Sequence, residues 1–209
     1  MGTKTPKQFL LLDGKPMLMH TIEAFADICD EVILCLPGKQ IDAWNRLCNT
    51  HRFRISVTLV RGGKTRYASV KNGLKKISKA ESVIAIHDGV RPFVSKELIK
   101  RCFKTAEEKG NAIPVIVIKS SMRRIAGVSS IAVDREEYRI VQTPQVFQSH
   151  QLIAGYREEY KVDFTDDATV VEQSGFSLNL INGDPNNLKI TTPSDIDLAS
   201  YIISKRRKK

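Results

Sequence analysis

The chain has 209 residues, is 42% hydrophobic and 27% charged, and carries a net charge of +10. It is long enough for one substantial core, and it contains neither an apolar run of about 18 residues nor a signal-peptide pattern, so the sequence reads as a cytoplasmic protein rather than a secreted or membrane-spanning one. Five of the ten excess charges lie in 205–209, a terminus expected to fray, and the remainder suits small phosphorylated ligands as well as it suits nucleic acid.

In chain order, 9–12 is a short apolar strand closed by Asp13-Gly14-Lys15, and Pro16 suits the first position of a helix with Leu18, Ile22 and Phe25 on one face. A strand over 31–36, a helix carrying Ile41, Trp44 and Leu47, and a strand over 55–60 follow. Gly62-Gly63 ends that strand, and a helix from about Thr65 turns Val70, Leu74 and Ile77 inward. Residues 82–86, mostly β-branched or small and apolar, form a strand too short for a helix and buried on both faces, so its neighbours are expected to be parallel. Ser95 caps the next helix and Gly110 ends it. After a buried strand over 112–118 the helical period disappears. Alternating segments over 119–142 read as a β-hairpin arm that needs a partner, most economically the same arm of a second subunit. A helix near Ser149, another opened by 165–167, a strand over 176–181 and a last helix capped by Thr192-Pro193-Ser194-Asp195 complete a single unit over 1–209. Strand, helix, strand alternation defines an α/β fold, a doubly wound and mostly parallel Rossmann-like sheet with an arm insertion.

Two stretches carry chemistry. His87-Asp88-Gly89 stands at the carboxyl end of the 82–86 strand, where open α/β sheets bind ligands, and Arg91 follows within three residues. A structural ion pair between Asp88 and Arg91 is the plainer explanation. Gly62-Gly63 lets backbone approach a ligand, although a simple turn explains it as well. Cys29, Cys35, Cys48 and Cys102 lie in apolar segments without a Cys-x-x-Cys pair, and the four histidines lack zinc spacing, so buried reduced thiols are expected and a transition-metal site is not.

Seven motifs recur in order: Pro6-Lys7-Gln8; Gly62-Gly63-x-x-Arg66-x-x-Ser69-Val70-x-Asn72-Gly73; His87-Asp88-Gly89-Val90-Arg91-Pro92; Val133-Asp134-Arg135; Thr143-Pro144-Gln145; Thr165-Asp166-Asp167-Ala168; and Asn187-Leu188-Lys189. Together they resemble the 2-C-methyl-D-erythritol 4-phosphate cytidylyltransferases, over essentially the whole chain. The resemblance implies a nucleotide-diphospho-sugar-transferase type of sheet and transfer of CMP from CTP to the polyol phosphate with loss of pyrophosphate. It also implies Mg²⁺ held mainly by the CTP phosphates, with no protein metal ligand named. Lys7, Arg135 and Lys189 are then the catalytic cations. Gly62, Gly63, Ser69, Asp88 and Gly89 join Lys7 in binding CTP. Asp88, Arg91, Ser121, Arg135, Thr143, Thr165 and Lys189 surround the second substrate, with Arg135 reaching the other subunit of a homodimer. Neither nucleic acid nor membrane is an expected partner.

Two departures accompany the resemblance. Ser120-Ser121 stands where the family usually has Asp-Thr; Ser121 retains a hydroxyl, but Ser120 supplies no carboxylate. The family also places a strand and a glycine-rich phosphate loop ending in arginine ahead of the position matched by Met1-Gly2, which implies about 20 further residues upstream. A degenerate paralogue is the alternative. A ribitol 5-phosphate cytidylyltransferase, with a similar His-Asp-x-Val-Arg-Pro pattern, and a non-catalytic nucleotide or nucleic-acid binder remain as competing functions. Arg66-x-x-Ser69-Val70 and Val133-Asp134-Arg135 favour the methylerythritol phosphate enzyme.

Overall fold

Residues 83–86 alternate between two faces of a sheet. Val83 and Ala85 pack with Phe25, Leu98, Ile99 and Cys102, whereas Ile84 and Ile86 pack with Tyr67, Phe147, Leu152 and Val171. Both faces are therefore covered by helices, as a doubly wound sheet requires. The computed structural model describes residues 5–77, 79 and 81–206. In order these form β1 (Leu11–Leu12), β2 (Lys15–Pro16), α1 (Met17–Ala26), β3 (Ile33–Leu36), α2 (Ile41–Thr50), β4 (Thr58–Arg61), α3 (Arg66–Leu74) and β5 (Val83–Ile86). Then come α4 (Lys96–Lys109), β6 (Asn111–Val117), β7 (Met122–Ala126), β8 (Ser129–Val133), β9 (Arg139–Val141), β10 (Gln145–Gln148), α5 (Ser149–Gly155), α6 (Asp167–Gln173), β11 (Leu180–Asn182) and α7 (Pro193–Arg206).

The main sheet runs β11-β6-β10-β5, and β9 also pairs with β6. It is mixed: β11 is parallel to β6, but β10 is antiparallel to both β6 and β5. The expectation of parallel neighbours for 82–86 is thus corrected on the side that is paired. The cause is the excursion of the chain after β6. It leaves the sheet through the β7–β8 hairpin and returns as β9, which lies antiparallel on 115–117 before β10 continues along 111–112. Residues 139–141, assigned to the arm from sequence, therefore belong to the main sheet.

Several element ends also move. Residues 7–9 form a 3₁₀ turn rather than the start of a strand, and only Leu11–Leu12 pairs, with Lys15–Pro16. Pro16 caps α1 from outside its first turn, and Asp166 caps α6, its side chain accepting from Thr169 N. The strand expected over 176–181 reduces to Leu180–Asn182. The basic terminus is helical through Arg206. Residues 1–4, including the motif match at Met1-Gly2, and residues 207–209 lie outside the described residues.

Among the described residues β3 pairs only with β4, in parallel, and β5 only with β10. Between β3 and β5 lies a cavity of about 1280 Å³, lined by both strands and by α1 and α3 residues such as Ile22, Phe25, Val70 and Leu74. The four cysteines are unpaired thiols; burial pushes Cys29 up to about 11 and Cys102 up to about 12, so both stay protonated and unreactive at neutral pH. No helix among the described residues is long and apolar enough to cross a membrane.

Candidate active site

The site is assembled at the carboxyl ends of β4 and β5. Where β5 stops, the chain turns through 87–91, and Arg91 N donates to Asp88 O at 3.0 Å. His87 fixes this turn from within. Its Nε2 lies 3.1 Å from Arg91 O, an oxygen that only accepts, so Nε2 carries the proton. Nδ1 of the neutral ring then accepts from the Thr143 hydroxyl at 3.0 Å, and Thr143 Oγ1 in turn accepts from Asp88 N at 3.1 Å. Burial, the largest influence, holds His87 down at about 4, which keeps this tautomer neutral.

Three cations converge on Asp88. Lys189 Nζ lies 3.1 Å and Arg91 Nε 3.2 Å from Oδ2, and Arg66 Nε lies 3.7 Å from Oδ1. Each arrives by a different route. Arg91 belongs to the turn itself, and its Nη1 donates to Asn187 O at 2.8 Å. Lys189 is brought alongside because Ile190 N donates to Val90 O at 2.9 Å. Arg66 occupies the first turn of α3, whose start is set by Thr65 Oγ1 accepting from Ala68 N. Burial pushes the Asp88 carboxyl up, but Lys189, Arg66 and Arg91 together outweigh it and hold the group below its ordinary value. The Asp88 side chain is 11% exposed, whereas Lys189 and Arg66 are 44% and 37% exposed, so the cluster presents positive charge outward.

Arg66 has a second anionic partner. Its Nη2 lies 2.5 Å from Asp167 Oδ2, and Asp167 Oδ1 accepts from the Tyr156 hydroxyl at 2.5 Å. Asp167 is 0% exposed. Desolvation works against the Arg66 charge, but Asp167 raises its pKa above the ordinary arginine value; burial and the same carboxylate raise Tyr156.

The glycine pair after β4 is explained first by packing. A Cβ on Gly63 would stand 2.3 Å from Ala68 Cβ, and one on Gly62 3.0 Å from Ser69 Oγ. Ser69 Oγ donates to Thr65 O at 2.9 Å and accepts from Gly63 N at 3.1 Å. With its proton committed to a carbonyl, Ser69 has only a lone pair to offer a ligand.

The twelve residues singled out from sequence are not all brought together. Asp88, Gly89, Arg91, Thr143 and Lys189 share the β5 end, and Gly62, Gly63 and Ser69 lie at the β4 end, joined to it through α3. Thr143 is buried and its hydroxyl engages His87 and Asp88. Thr165 is exposed, just ahead of the α6 cap. Lys7 is exposed in its 3₁₀ turn, and among the described residues no hydrogen bond or ion pair joins it to the Asp88 cluster. Ser121 is exposed at the root of the hairpin. Arg135 is tied to that root by Nη1 donating to Lys119 O at 2.7 Å. His87, Asp167 and Tyr156 were missed as site residues, although His87 and Asp167 lie inside recognised motifs. Tyr156 left no sequence signal beyond its helical apolar spacing.

A doubly wound sheet with a cationic cluster at its strand ends and a glycine turn opening a helix defines a nucleotidyltransferase-type α/β protein. The family profile described as IspD, 2-C-methyl-D-erythritol 4-phosphate cytidylyltransferase, matches residues 1–205. Relatives of that name from Bacteroides thetaiotaomicron and Bacteroides fragilis are 45% and 46% identical over 205 residues, covering 97% of this chain and 93% of each relative. The crystal structure of the Thermus thermophilus enzyme of the same name superposes with a TM-score of 0.83 at 31% identity, covering 95% of this chain and 94% of that one. The chain belongs to the 2-C-methyl-D-erythritol 4-phosphate cytidylyltransferase family.

Proposed function

We propose how this chain performs its family's reaction. It transfers CMP from CTP to 2-C-methyl-D-erythritol 4-phosphate, giving 4-diphosphocytidyl-2-C-methyl-D-erythritol and pyrophosphate, a step in isoprenoid precursor biosynthesis. A phosphate oxygen of the polyol attacks the α-phosphorus and pyrophosphate leaves, so the protein's task is to juxtapose two polyanions and neutralise charge in line. The observation that carries the reading is the outward-facing Lys189 and Arg66 above the Asp88–Arg91 pair. In this reading Lys189 meets the incoming phosphate. Asp88, with Thr143 behind it, holds Lys189 in place while Asp88 and Gly89 receive a ribose or polyol hydroxyl. Arg91, Ser121 and Thr165 complete that subsite. Gly62 and Gly63 offer backbone groups to the cytosine edge, and the Ser69 lone pair faces a base N–H. Lys7 neutralises the α-phosphate, and Arg135 reaches the phosphate from a second subunit.

Among the described residues there is no group of three His, Cys, Asp or Glu able to hold an ion, and Asp88 is already ringed by cations. Mg²⁺ would be held mainly by the nucleotide triphosphate, where it would offset phosphate charge. We further assign the chain to one domain over 1–209 with its arm over 119–138, to a homodimer formed through that arm, and to the cytoplasm, with neither nucleic acid nor membrane as partner.

Pyrophosphate release from CTP with Mg²⁺ and methylerythritol phosphate tests the reading, with ATP and ribitol 5-phosphate as competitors. Methylerythritol phosphate and CTP are the expected preference; equal turnover of ribitol 5-phosphate would sink it. Lys189→Ala should lose more than about 2 kcal/mol of transition-state stabilisation, seen as a fall of kcat/KM of about thirtyfold or more.

A further inference from the structure

Arg66 is shared between two carboxylates that stand in different environments. Asp88 belongs to the cationic cluster, whereas Asp167 is fully buried and both its oxygens are occupied, one by Arg66 Nη2 and one by the Tyr156 hydroxyl. The two contacts differ in closeness, 2.5 Å to Asp167 against 3.7 Å to Asp88. A planar guanidinium held this tightly at one edge has little freedom to pivot toward its second anion. Tyr156 is itself immobilised, stacked on Tyr67 at 4.6 Å with an interplanar angle of 20°. Tyr67 neighbours Arg66 on α3, and its hydroxyl donates to Glu158 O at 2.6 Å. The segment between α5 and α6 and the first turn of α3 are thus fastened together at two adjacent residues.

We propose that Asp167, oriented by Tyr156, is a positioning residue: it restrains Arg66 at a distance from Asp88, which leaves the Asp88 carboxylate to Lys189 and Arg91 and so keeps Lys189 aimed at the second substrate. This rests on the assignment of Asp88 and Lys189 to the polyol phosphate. If Asp167 is neutralised, Arg66 loses its nearer anion and closes on Asp88. Lys189, which already shares that carboxylate with Arg91, then competes with a further cation and leaves its post.

Two readouts test the proposal, one of them independent of turnover. In nitrogen-15 spectra of the full chain, the restrained Arg66 guanidinium should give separately resolved Nη signals that merge in Asp167→Asn. In steady-state kinetics Asp167→Asn should raise KM for methylerythritol phosphate about tenfold or more while KM for CTP stays within about threefold, and Tyr156→Phe should move the same constant in the same direction by less. Arg66→Met/Asp167→Asn should recover part of the KM lost in Asp167→Asn, since without the Arg66 guanidinium no freed cation closes on Asp88 to displace Lys189. No recovery in the double variant, unchanged Nη signals, or a uniform fall in kcat with both KM values intact would each overturn it. Should Asp167→Asn fail to fold, Tyr156→Phe carries the same test with both readouts. A wild-type chain that shows the restrained Arg66 signals, and their loss on substitution, but turns over ribitol 5-phosphate instead would leave the positioning in place and refute only the substrate.

Discussion

A single ring nitrogen decides the orientation of the turn that carries Asp88. Because Arg91 O can only accept, the proton must sit on His87 Nε2, and Thr143 must donate to Nδ1. Burial is what disfavours the imidazolium here, against its hydrogen-bond partners and the Asp88 charge, and it holds the pKa near 4 against an ordinary 6.5. A base depressed in this way gives its full contribution above pH 6.5, where folded and unfolded chains are both neutral. Below 6.5 the unfolded chain takes up a proton first, and stability falls until pH 4, by about 3 kcal/mol in all. Asp88, whose carboxyl is also held low, loses its contribution only below its ordinary 3.8. The two windows are thus separable. Urea unfolding between pH 7 and 4 should show a decline for the wild type that is flattened in His87→Gln; parallel curves would remove His87 from this role.

At the level of elements, the hairpin of β7 and β8 stands apart from every hydrophobic cluster of the core. Gly127, at φ +62°, makes the two-residue turn between Ala126 and Ser129, and Ile125, Val128 and Ile131 are exposed around it. Two strands without a core are marginal in water, which is the physical ground for assigning a partner arm. Sedimentation should then find a dimer at micromolar concentration. Mixed dimers of Arg135→Ala and Lys189→Ala subunits should regain part of the activity, because one intact site can form from the two chains; no regain in demonstrated mixed dimers would return Arg135 to its own subunit.

The hairpin also marks where reading from sequence succeeds and where it stops. Its alternating pattern and the loss of helical period are local, and so are the Ser95 cap, the Gly110 stop and the apolar face of α1. Motif order singles out Asp88 and Lys189, whose side chains meet at 3.1 Å. What local pattern did not disclose is register. That β10 enters between β5 and β6 against their direction depends on where the chain re-enters after the arm, 139–148, and no periodicity encodes it. Likewise Asp167 reads as one of two acidic residues at a helix start. Its burial against Arg66, 101 residues earlier, exists only once α3 and α6 have packed on the same face.

Across the whole molecule, the described residues show no strand pairing over the cleft between β3 and β5, so the β3–β4 pair and the larger sheet are connected through helices. The β3–β4 pair packs with α1 and α2 around Trp44, while the larger sheet has its own clusters on either face. An unpaired strand edge exchanges its amide protons more readily than a paired one. Native-state hydrogen exchange should therefore show a lower opening free energy for amides of 33–36 and 58–61 than for 111–117 and 145–148. Equal protection across both sets would refute this difference between edge and centre.

That division gives the site a mechanical meaning. Gly62, Gly63 and Ser69 follow the smaller unit's last strand, whereas Asp88, Arg91 and Lys189 belong to the larger one. A molecule gripped by both groups is a clamp across the seam, and its binding energy becomes cooperativity of unfolding. Occupancy would then be written in the exchange rates of strands that never touch the ligand, with the two tiers of protection merging into one as the nucleotide is added.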